Sequence, residues 1–446
     1  MYFYDLNFPK NHDIIRKKYA GKDFIMKSIG IVICSYNKSE YVCRCIESVL
    51  ESDTQDFDIF MVDNASTDDS VDAVTKKFGD KVTILQNAEN LGGSGGFNRG
   101  IKKVLEEGYK YLMCLDDDVK VTKEAVRTLY EFLKKNPKVG MAGSKVYHMH
   151  APEYVQQMGL NIHFETCSAE TLYADTLDNS DIPEVVYCDT VAACSLMMPT
   201  RVVKKVGMMP EDNFIYWDDM EWGYLVGKAG YQVAAYGGSK VYHEMSANVR
   251  KSNTFSTYYM WRNHLNFFMK YTKRERWEQM SFYQLRSVFD AFYESMYREE
   301  HNVAKTIISA FLDAMMLVRG KATPDKILIN DGNQKKVNQL LEGLHKVYVD
   351  DSEGFGLKDV LNKMGQDISF VEEAEAEKKL RTCRYIMEVT DLSMEYVYID
   401  QYWNILLDEG DVEAVKNYGY SLQLFIYMHQ NTFLSQMEKL WGEKKD

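Results

Sequence analysis

The chain has 446 residues, of which 46% are hydrophobic and 27% are charged, and its formal net charge is −13 at pH 7. This composition is typical of a globular protein with two or three domains. The negative charge argues against nonspecific binding of nucleic acid, because such binding needs a basic surface that displaces counterions.

Eight cysteines are present without a C-x-x-C pair, so neither a structural zinc site nor a disulfide framework is indicated. The first residues lack the charged and apolar regions of a signal peptide. The longest uncharged stretch, residues 417–437, is interrupted by polar side chains and does not predict a transmembrane helix. We therefore expect a cytoplasmic protein.

Apolar runs of strand length alternate with segments of helical length in the first part of the chain. The runs are residues 28–34, 57–62, 82–86 and 109–115. This alternation predicts an α/β domain with a mostly parallel sheet covered on both faces. Ligands of such sheets bind outside the carboxyl ends of the strands.

A polar cluster follows each of these four runs, and we expect the clusters to line one ligand site at a single sheet edge. The clusters are the turn of Ser35, Tyr36 and Asn37, the pair Asp63 and Asn64, the glycine-rich residues 92–100, and Asp116 to Asp118.

The glycine-rich residues 92–100 allow a ligand to approach the backbone closely at a helix N-terminus. A dinucleotide-binding fingerprint does not fit, because Asn98 stands where its third glycine belongs and the loop follows the third run. An ordinary flexible turn remains the alternative for this segment.

Three consecutive carboxylates, Asp116, Asp117 and Asp118, repel one another at the end of an apolar run. A divalent cation is the simplest way to neutralise such charges at a buried strand end. The alternative is a solvated loop. Later in the chain, His243 ends another apolar run, and a lone histidine of this kind is more often structural than a metal ligand.

A second carboxylate cluster contains Asp218, Asp219 and Glu221, and it is flanked by Trp217 and Trp222. Aromatic rings beside carboxylates suit a sugar, whose C–H face stacks while its hydroxyls form hydrogen bonds. The alternative is a helix N-terminus with acids that favour the helix dipole and tryptophans packed in the core.

These motifs, in this order, resemble the family 2 glycosyltransferases of the GT-A fold over about residues 29–270. Within that family the glycine-rich segment and the acidic triplet are most similar to galactofuranosyltransferases, with rhamnosyltransferases next. The resemblance implies a Rossmann-like GT-A catalytic domain with a mostly parallel sheet, followed by an α-helical C-terminal region. One departure is Leu225, where the family usually has an arginine.

The resemblance also implies site roles. Mn²⁺ or Mg²⁺ would be bound by Asp116, Asp118 and His243, and Asp219 would be the catalytic base. Asp63 would meet the nucleobase. The substrate-binding positions implied as a set are Ser35, Tyr36, Asn37, Asp63, Asn64, Gly93, Arg99, Asp117, Trp217, Asp218, Glu221 and Trp222.

The expected activity is metal-dependent, inverting transfer of a sugar, with galactofuranose or rhamnose favoured, from a nucleotide-diphosphate donor to a glycan or lipid-linked acceptor in cell-surface polysaccharide synthesis. One alternative is a sugar nucleotidyltransferase, whose glycine-rich, basic signature should follow the first strand, where residues 35–38 stand instead. Another is a non-catalytic carbohydrate-binding or assembly module.

Four segments are predicted: an N-terminal arm over residues 1–28, the glycosyltransferase domain over 29–252, a helical extension packing on it over 253–320, and an α-helical domain over 321–446. The C-terminal helices are expected to support homo-oligomers. Basic residues predict peripheral association with the inner face of a membrane; they are Lys270, Lys273, Arg274 and Arg276.

Overall fold

A computed structural model describes most of the chain. The described residues are 27–179, 181–244, 253–330, 337–341, 343–363, 368–384, 393, 395–401, 403, 405–407 and 417–442. The chain divides into two compact units, one over residues 1–249 with 319–321 and 441–446, the other over 250–318 and 322–440. Apart from residues 27 and 28, the expected N-terminal arm lies outside the described residues.

The first unit alternates strands and helices up to its sixth strand and then becomes rich in short strands. The alternating part is β1 (Ile29–Ser35), α1 (Ser39–Leu50), β2 (Phe57–Asp63), α2 (Ser70–Phe78), β3 (Val82–Gln86), α3 (Gly92–Glu107), β4 (Tyr111–Asp116), β5 (Val119–Val121), α4 (Ala125–Lys135) and β6 (Val139–His148). The rest is β7 (Tyr154–Gln157), β8 (Leu160–His163), β9 (Ser168–Thr171), β10 (Thr176–Leu177), β11 (Val185–Cys188), β12 (Ser195–Pro199), α5 (Thr200–Val206), α6 (Asp218–Lys228) and β13 (Gln232–His243).

The central sheet has the order β10-β7-β6-β12-β4-β1-β2-β3, and β13 adds to β6. Strands β3, β2, β1 and β4 are parallel, whereas β12 runs antiparallel to both β4 and β6. The predicted Rossmann-like α/β class is therefore confirmed. The end of the regular alternation near residue 139 is where antiparallel strands begin.

Strand β1 lies at the centre because both of its faces are apolar. Ile31 and Ile33 pack on one side with residues of α1 and α4, while Val32 packs on the other side with residues of α3. All three side chains are fully buried. A continuous apolar run, rather than an alternating one, is typical of a parallel strand covered on both faces.

The register of the parallel strands places three polar strand ends at one edge of the sheet. Ser35 of β1 lies beside Asp63 of β2, and Cys34 of β1 lies beside Asp116 of β4. The predicted grouping of polar clusters at the carboxyl ends of these strands is therefore observed in the backbone.

The second unit holds both helices and a smaller sheet. Its helices are α7 (Phe255–Tyr271), α8 (Trp277–Tyr297), α9 (His301–Met315), α10 (Val337–Leu340), α11 (Leu357–Lys363) and α12 (Tyr418–Gly442), the last continuing past the unit's boundary. Its strands are β14 (Lys346–Asp350), β15 (Ser369–Phe370), β16 (Lys378–Thr382), β17 (Tyr396–Ile399) and β18 (Ile405–Leu407). A helical region after the first unit is confirmed, but the five-stranded sheet was not predicted.

The α-helical domain predicted over residues 321–446 includes the charged run at residues 371–384, but this run does not form an α-helix. It contains β16, in which Leu380 is fully buried while its neighbours Lys379 and Arg381 are on the other face. The Arg381 guanidinium lies 4.2 Å from the ring centre of Tyr396 on the adjacent strand. Such cross-strand pairing outweighs the helical propensity of a lysine- and glutamate-rich segment.

Among the helices within the described residues, none combines the length and the apolar character that a membrane span requires.

Candidate active site

The acidic triplet forms the turn between β4 and β5. Asp117 and Asp118 are only 5% and 8% exposed, which excludes the solvated loop that was the alternative reading. Asp118 Oδ1 lies 3.2 Å from Nε2 of His243. Burying carboxylates this deeply requires compensating positive charge.

His243 reaches this turn because β13 pairs antiparallel with β5, which places His243 opposite Val119. Asp116, Asp118 and His243 each offer one ligand atom, and the three atoms lie within 4.8 Å of one another. Two carboxylate oxygens and one imidazole nitrogen are a donor set that suits Mn²⁺ and can also hold Mg²⁺. The three residues predicted as metal ligands are therefore brought together and fit a divalent cation.

Lys38 is a member of the cluster that sequence reasoning did not single out. Its Nζ lies 2.7 Å from Asp118 Oδ2 and 3.2 Å from Asp117 Oδ1. Burial opposes its charge, but the charges of Asp117 and Asp118 dominate and raise the pKa of Lys38. The available signal was a lone cation immediately after the turn that ends β1.

The carboxylates of the cluster have unequal proton affinities. Burial and then the charge of Asp118 raise the pKa of Asp116 to about 7. Burial also acts on Asp118, but its close contact with the His243 ring and the charge of Lys38 lower the pKa of Asp118 to about 2. Burial lowers the pKa of His243, yet the contact with Asp118 and the charge of Asp116 raise this pKa overall. The cluster thus favours an added cation.

The turn after β1 is tied to the loop after β2 by Asn37, whose φ of 53° is left-handed. Asn37 Oδ1 accepts hydrogen bonds from Thr67 N at 2.7 Å and Thr67 Oγ1 at 3.3 Å, and Asn37 N donates to Ser66 Oγ at 2.9 Å. Because these bonds occupy the side-chain carbonyl oxygen of Asn37, we assign this residue to stabilising the turn. Tyr36, the preceding residue, is 43% exposed.

Ser35 and Asp63 lie at adjacent strand ends and are 1% and 3% exposed. Asp63 Oδ1 accepts a hydrogen bond from Ser66 N at 3.1 Å. Both residues therefore lie at the expected edge of the sheet.

Asn64 was expected to bind substrate, but its amide is occupied within the fold. Its Nδ2 donates to Gly92 O at 2.8 Å, and its Oδ1 accepts from Leu91 N and from Asn87 Nδ2, both at 3.0 Å. A buried amide with this many partners has little capacity for a ligand. The structure thus assigns Asn64 to holding the start of α3 against β2.

The glycine-rich segment is neither a flexible turn nor an open loop, since it forms the first turns of α3. A Cβ at Gly96 would lie 2.3 Å from Cys34 Sγ, and one at Gly100 would lie 2.3 Å from Val32 Cγ1. These glycines allow α3 to pack directly against β1. Gly93 has more room, because the nearest atoms, among them Asp218 Oδ2, lie 3.8 Å from its hypothetical Cβ. The predicted substrate-binding residue Arg99, on the same helix, is exposed.

Gly96→Ala is expected to destabilise the protein by about 1–3 kcal/mol, because its methyl group would overlap Cys34 Sγ in a tightly packed contact. The measurement is urea unfolding. Gly93→Ala is the matched control, since its nearest neighbours lie at 3.8 Å and alanine favours a helix. Equal unfolding midpoints for the two variants would contradict the packing role of Gly96.

The loop before α6 has an unusual backbone. Phe214, Tyr216 and Trp217 have φ angles of 67°, 62° and 64°, in the left-handed region that costs a residue with a side chain about 1–3 kcal/mol. Gly92 supports this loop, because any Cβ there would lie 2.0 Å from Phe214 O. Backbone strain of this kind concentrates at functional sites.

Two residues of the second acidic cluster have structural partners instead of the expected contact with substrate. Trp222 is fully buried, and its Nε1 donates to Gly207 O at 3.0 Å. Glu221 is 3% exposed and accepts a hydrogen bond from Asn213 Nδ2 at 2.9 Å. Trp217 is also buried, at 8% exposure, whereas Trp222 lies in an apolar core cluster, so the core-packing alternative is supported for Trp222.

Asp218 and Asp219 begin α6. Asp219 Oδ2 accepts a hydrogen bond from Ala193 N at 3.2 Å, and its Oδ1 accepts one from Met220 N at 2.7 Å. Burial raises the pKa of Asp219. Burial and then the charge of Asp219 raise the pKa of Asp218 to about 7.

One dipeptide links the two acidic clusters. The N–H of Ala193 donates to Asp219, and the carbonyl of the next residue, Cys194, accepts a hydrogen bond from Asp116 N at 3.2 Å. The two acidic clusters are therefore joined through the backbone of consecutive residues that immediately precede β12.

Comparisons with known proteins agree with these motifs. Residues 30–188 match the sequence profile described as Glycosyl transferase family 2. A poly-beta-1,6-N-acetyl-D-glucosamine synthase of Staphylococcus epidermidis is 28% identical over 140 residues, covering 31% of this chain and 32% of the relative. The galactofuranosyltransferase GlfT2 of Mycolicibacterium smegmatis is 23% identical over 205 residues, covering 42% of this chain and 31% of the relative.

The chain thus spans about a third of the length of these curated relatives. Among solved structures, GalNAc-T7 with UDP, GalNAc and Mn²⁺ superposes with a TM-score of 0.48 and 13% identity, covering 66% of this chain and 59% of that one.

Proposed function

We propose that the chain is a family 2 glycosyltransferase that moves a sugar from a nucleotide-diphosphate donor to an acceptor hydroxyl. The observation that carries the proposal is the link through Ala193 and Cys194, which joins a metal-ligating cluster to a buried carboxylate pair. The profile match over residues 30–188 supports it independently.

The donor end would hold Mn²⁺ or Mg²⁺ through Asp116, Asp118 and His243. When bound, such an ion supplies charge neutralisation for a departing diphosphate. Lys38 adds a fixed positive charge at Asp117 and Asp118. Tyr36 is exposed and follows Ser35, which pairs with the buried Asp63, and we assign Tyr36 and Asp63 to the nucleobase, which an aromatic ring and a carboxylate can bind.

The acceptor end would use Asp219 as the general base. Its raised pKa brings its proton affinity nearer to neutral pH, where a general base is most effective. Asp219 removes the proton of the acceptor hydroxyl as that oxygen attacks the anomeric carbon and the diphosphate leaves. A single displacement of this kind inverts the anomeric configuration. Asp218, with a pKa raised to about 7, can hold a proton and donate a hydrogen bond.

The proposal also covers the identity of the transferred sugar and of the acceptor. GlfT2 is a galactofuranosyltransferase, and the match to it favours galactofuranose over rhamnose as the transferred sugar. The relative from Staphylococcus epidermidis is named for a polysaccharide, poly-beta-1,6-N-acetyl-D-glucosamine, which favours a glycan or lipid-linked acceptor in cell-surface polysaccharide synthesis. We also propose peripheral association with the inner face of a membrane, which liposome flotation tests. Homo-oligomers formed through the C-terminal helices are a further part of the proposal, and light scattering tests them.

Release of sugar from a panel of nucleotide-diphosphate sugars, with Mn²⁺ and with a chelator, tests the activity. Sugar release that requires Mn²⁺ is expected. Pyrophosphate formation from a sugar phosphate and a nucleoside triphosphate would indicate a nucleotidyltransferase, and the absence of any turnover would indicate a carbohydrate-binding module. Asp219→Asn serves as a control that keeps the donor site.

Lys38→Met is expected to destabilise the metal-free protein by about 1–3 kcal/mol, because it leaves the buried carboxylates of Asp117 and Asp118 without their cation. The one-third exposure of Lys38 keeps the loss below that of a fully buried pair. Thermal unfolding with and without Mn²⁺ measures the effect, and Mn²⁺ should stabilise this variant more than the wild type. Lys38→Arg keeps the charge and is the control; equal stability of all three proteins would contradict this role.

A further inference from the structure

The side chain of Gln156 contacts the proposed metal ligand His243 from the side opposite to the acidic turn. Gln156 Oε1 lies 2.7 Å from Nδ1 of His243, while Nε2 of the same ring lies 3.2 Å from Asp118 Oδ1. Gln156 is 7% exposed, so water does not readily replace this contact. The two nitrogens of His243 therefore have different partners.

Gln156 occupies a special place in the sheet. Strands β6 and β7 pair Val146 with Gln157 and Tyr147 with Val155, and the register shifts between these two pairs. Gln156 is the additional residue of β7 at this bulge, without a partner in the ladder. Bulges redirect a side chain and are common beside active sites.

The amide orientation follows from a third contact. Gln156 Nε2 lies 3.4 Å from Nδ1 of His148, whose Nε2 in turn lies 2.7 Å from Asp175 Oδ1. His148 Nε2–H donates to the carboxylate, which leaves His148 Nδ1 as the acceptor for the amide N–H. The Gln156 carbonyl oxygen therefore faces His243, and it can only accept a hydrogen bond.

We propose that Gln156 is a positioning residue that favours the Nδ1–H tautomer of His243 and so presents the Nε2 lone pair to a divalent cation. The inference rests on the proposed function for the cation, but the contact itself is a property of the fold. Partners of this kind orient a ligating histidine and typically change metal affinity by about 10- to 100-fold. Strand β7 would then serve the donor side.

Two measurements on the full chain test this inference. Calorimetric titration with Mn²⁺ alone should give about 10- to 100-fold weaker binding for Gln156→Met than for the wild type. Spectra of ¹⁵N-histidine-labelled, metal-free protein, recorded above the raised pKa of His243, should show a larger fraction of the Nδ1–H tautomer in the wild type than in Gln156→Met, because Asp118 Oδ1 at Nε2 favours the opposite tautomer. His243→Gln identifies the signal.

Gln157→Met is the matched control, because Gln157 is the adjacent glutamine and lies within the regular pairing of β7. Both readouts should equal those of the wild type. Gln156→Glu keeps the acceptor atom and should retain the tautomer, which keeps the inference testable if Gln156→Met does not fold. An unchanged His243 spectrum in Gln156→Met, or a reduced Nδ1–H fraction in Gln156→Glu, would overturn it.

The spectra require no metal, so they separate two failures. A wild type that binds no Mn²⁺ but shows the Nδ1–H tautomer, with a smaller fraction of that tautomer in Gln156→Met, would refute the metal assignment and support the positioning role. Mn²⁺ binding of equal strength in the wild type and Gln156→Met would leave the metal site in place and refute the role of Gln156.

Discussion

Asp219→Asn should lower the rate of sugar transfer by about 10²- to 10⁴-fold, the usual contribution of a general base. Asparagine has nearly the same shape and retains an acceptor for Ala193 N or Met220 N, so α6 should keep its position. It cannot take a proton from the acceptor hydroxyl. The measurement is the initial transfer rate with the donor that the nucleotide-sugar panel identifies.

Donor binding should be unchanged in Asp219→Asn, because Asp219 belongs to the acceptor end. Calorimetric titration with the nucleoside diphosphate and Mn²⁺ measures it. Asp218→Asn is the matched control and should lose less activity. A normal transfer rate in Asp219→Asn would refute its assignment as the base.

The pH dependence should follow Asp219 as well. Its ionised form is the active one, and burial raises its pKa, so wild-type activity is present above that pKa and falls as the pH decreases through it. This acidic limb should be absent from the residual activity of Asp219→Asn.

Trp222→Ala should destabilise the protein by about 3–5 kcal/mol, the usual cost of removing a large buried side chain. Trp222 is fully buried among apolar residues on the α3 side of the sheet, and its Nε1 donates to Gly207 O. The change would leave both a cavity and a carbonyl without its hydrogen bond. Urea unfolding followed by circular dichroism measures the loss.

Trp222→Phe is the graded comparison, since it fills most of the cavity and removes only the N–H donor. Its loss should be about 1–3 kcal/mol, the cost of an unpaired buried group. If Trp222→Ala instead unfolded like the wild type while donor or acceptor binding weakened, Trp222 would be a substrate contact, as the sequence first suggested.

Position in the sequence predicted the location of a site residue well where that residue ends a strand. Asp63 and Asp116 follow continuous apolar runs, and parallel pairing necessarily brings such strand ends to one edge. His243 arrives from much later in the chain through pairing of β13 with β5, which local sequence does not determine. Its place could be expected only from the family resemblance.

The type of a residue predicted the role of its side chain less well. Trp222 and Asn64 have the chemistry of ligand-binding residues, but long-range packing gives both a structural role. The glycines of α3 have the composition of a loop, yet contact with β1 selects them. Lys38 was overlooked because a lysine after a turn has no distinguishing pattern until its carboxylate partners are located.

The link through Ala193 and Cys194 has a consequence for how this protein could diversify. Consecutive residues set the spacing between Asp219 and Asp116, so no loop length enters that spacing. The strands between β7 and β12, with their turns, could be lengthened, shortened or exchanged to suit a different acceptor without altering this spacing. An insertion between Ala193 and Cys194 would have no such freedom, because it would separate the chemistry of the leaving group from that of the attacking hydroxyl.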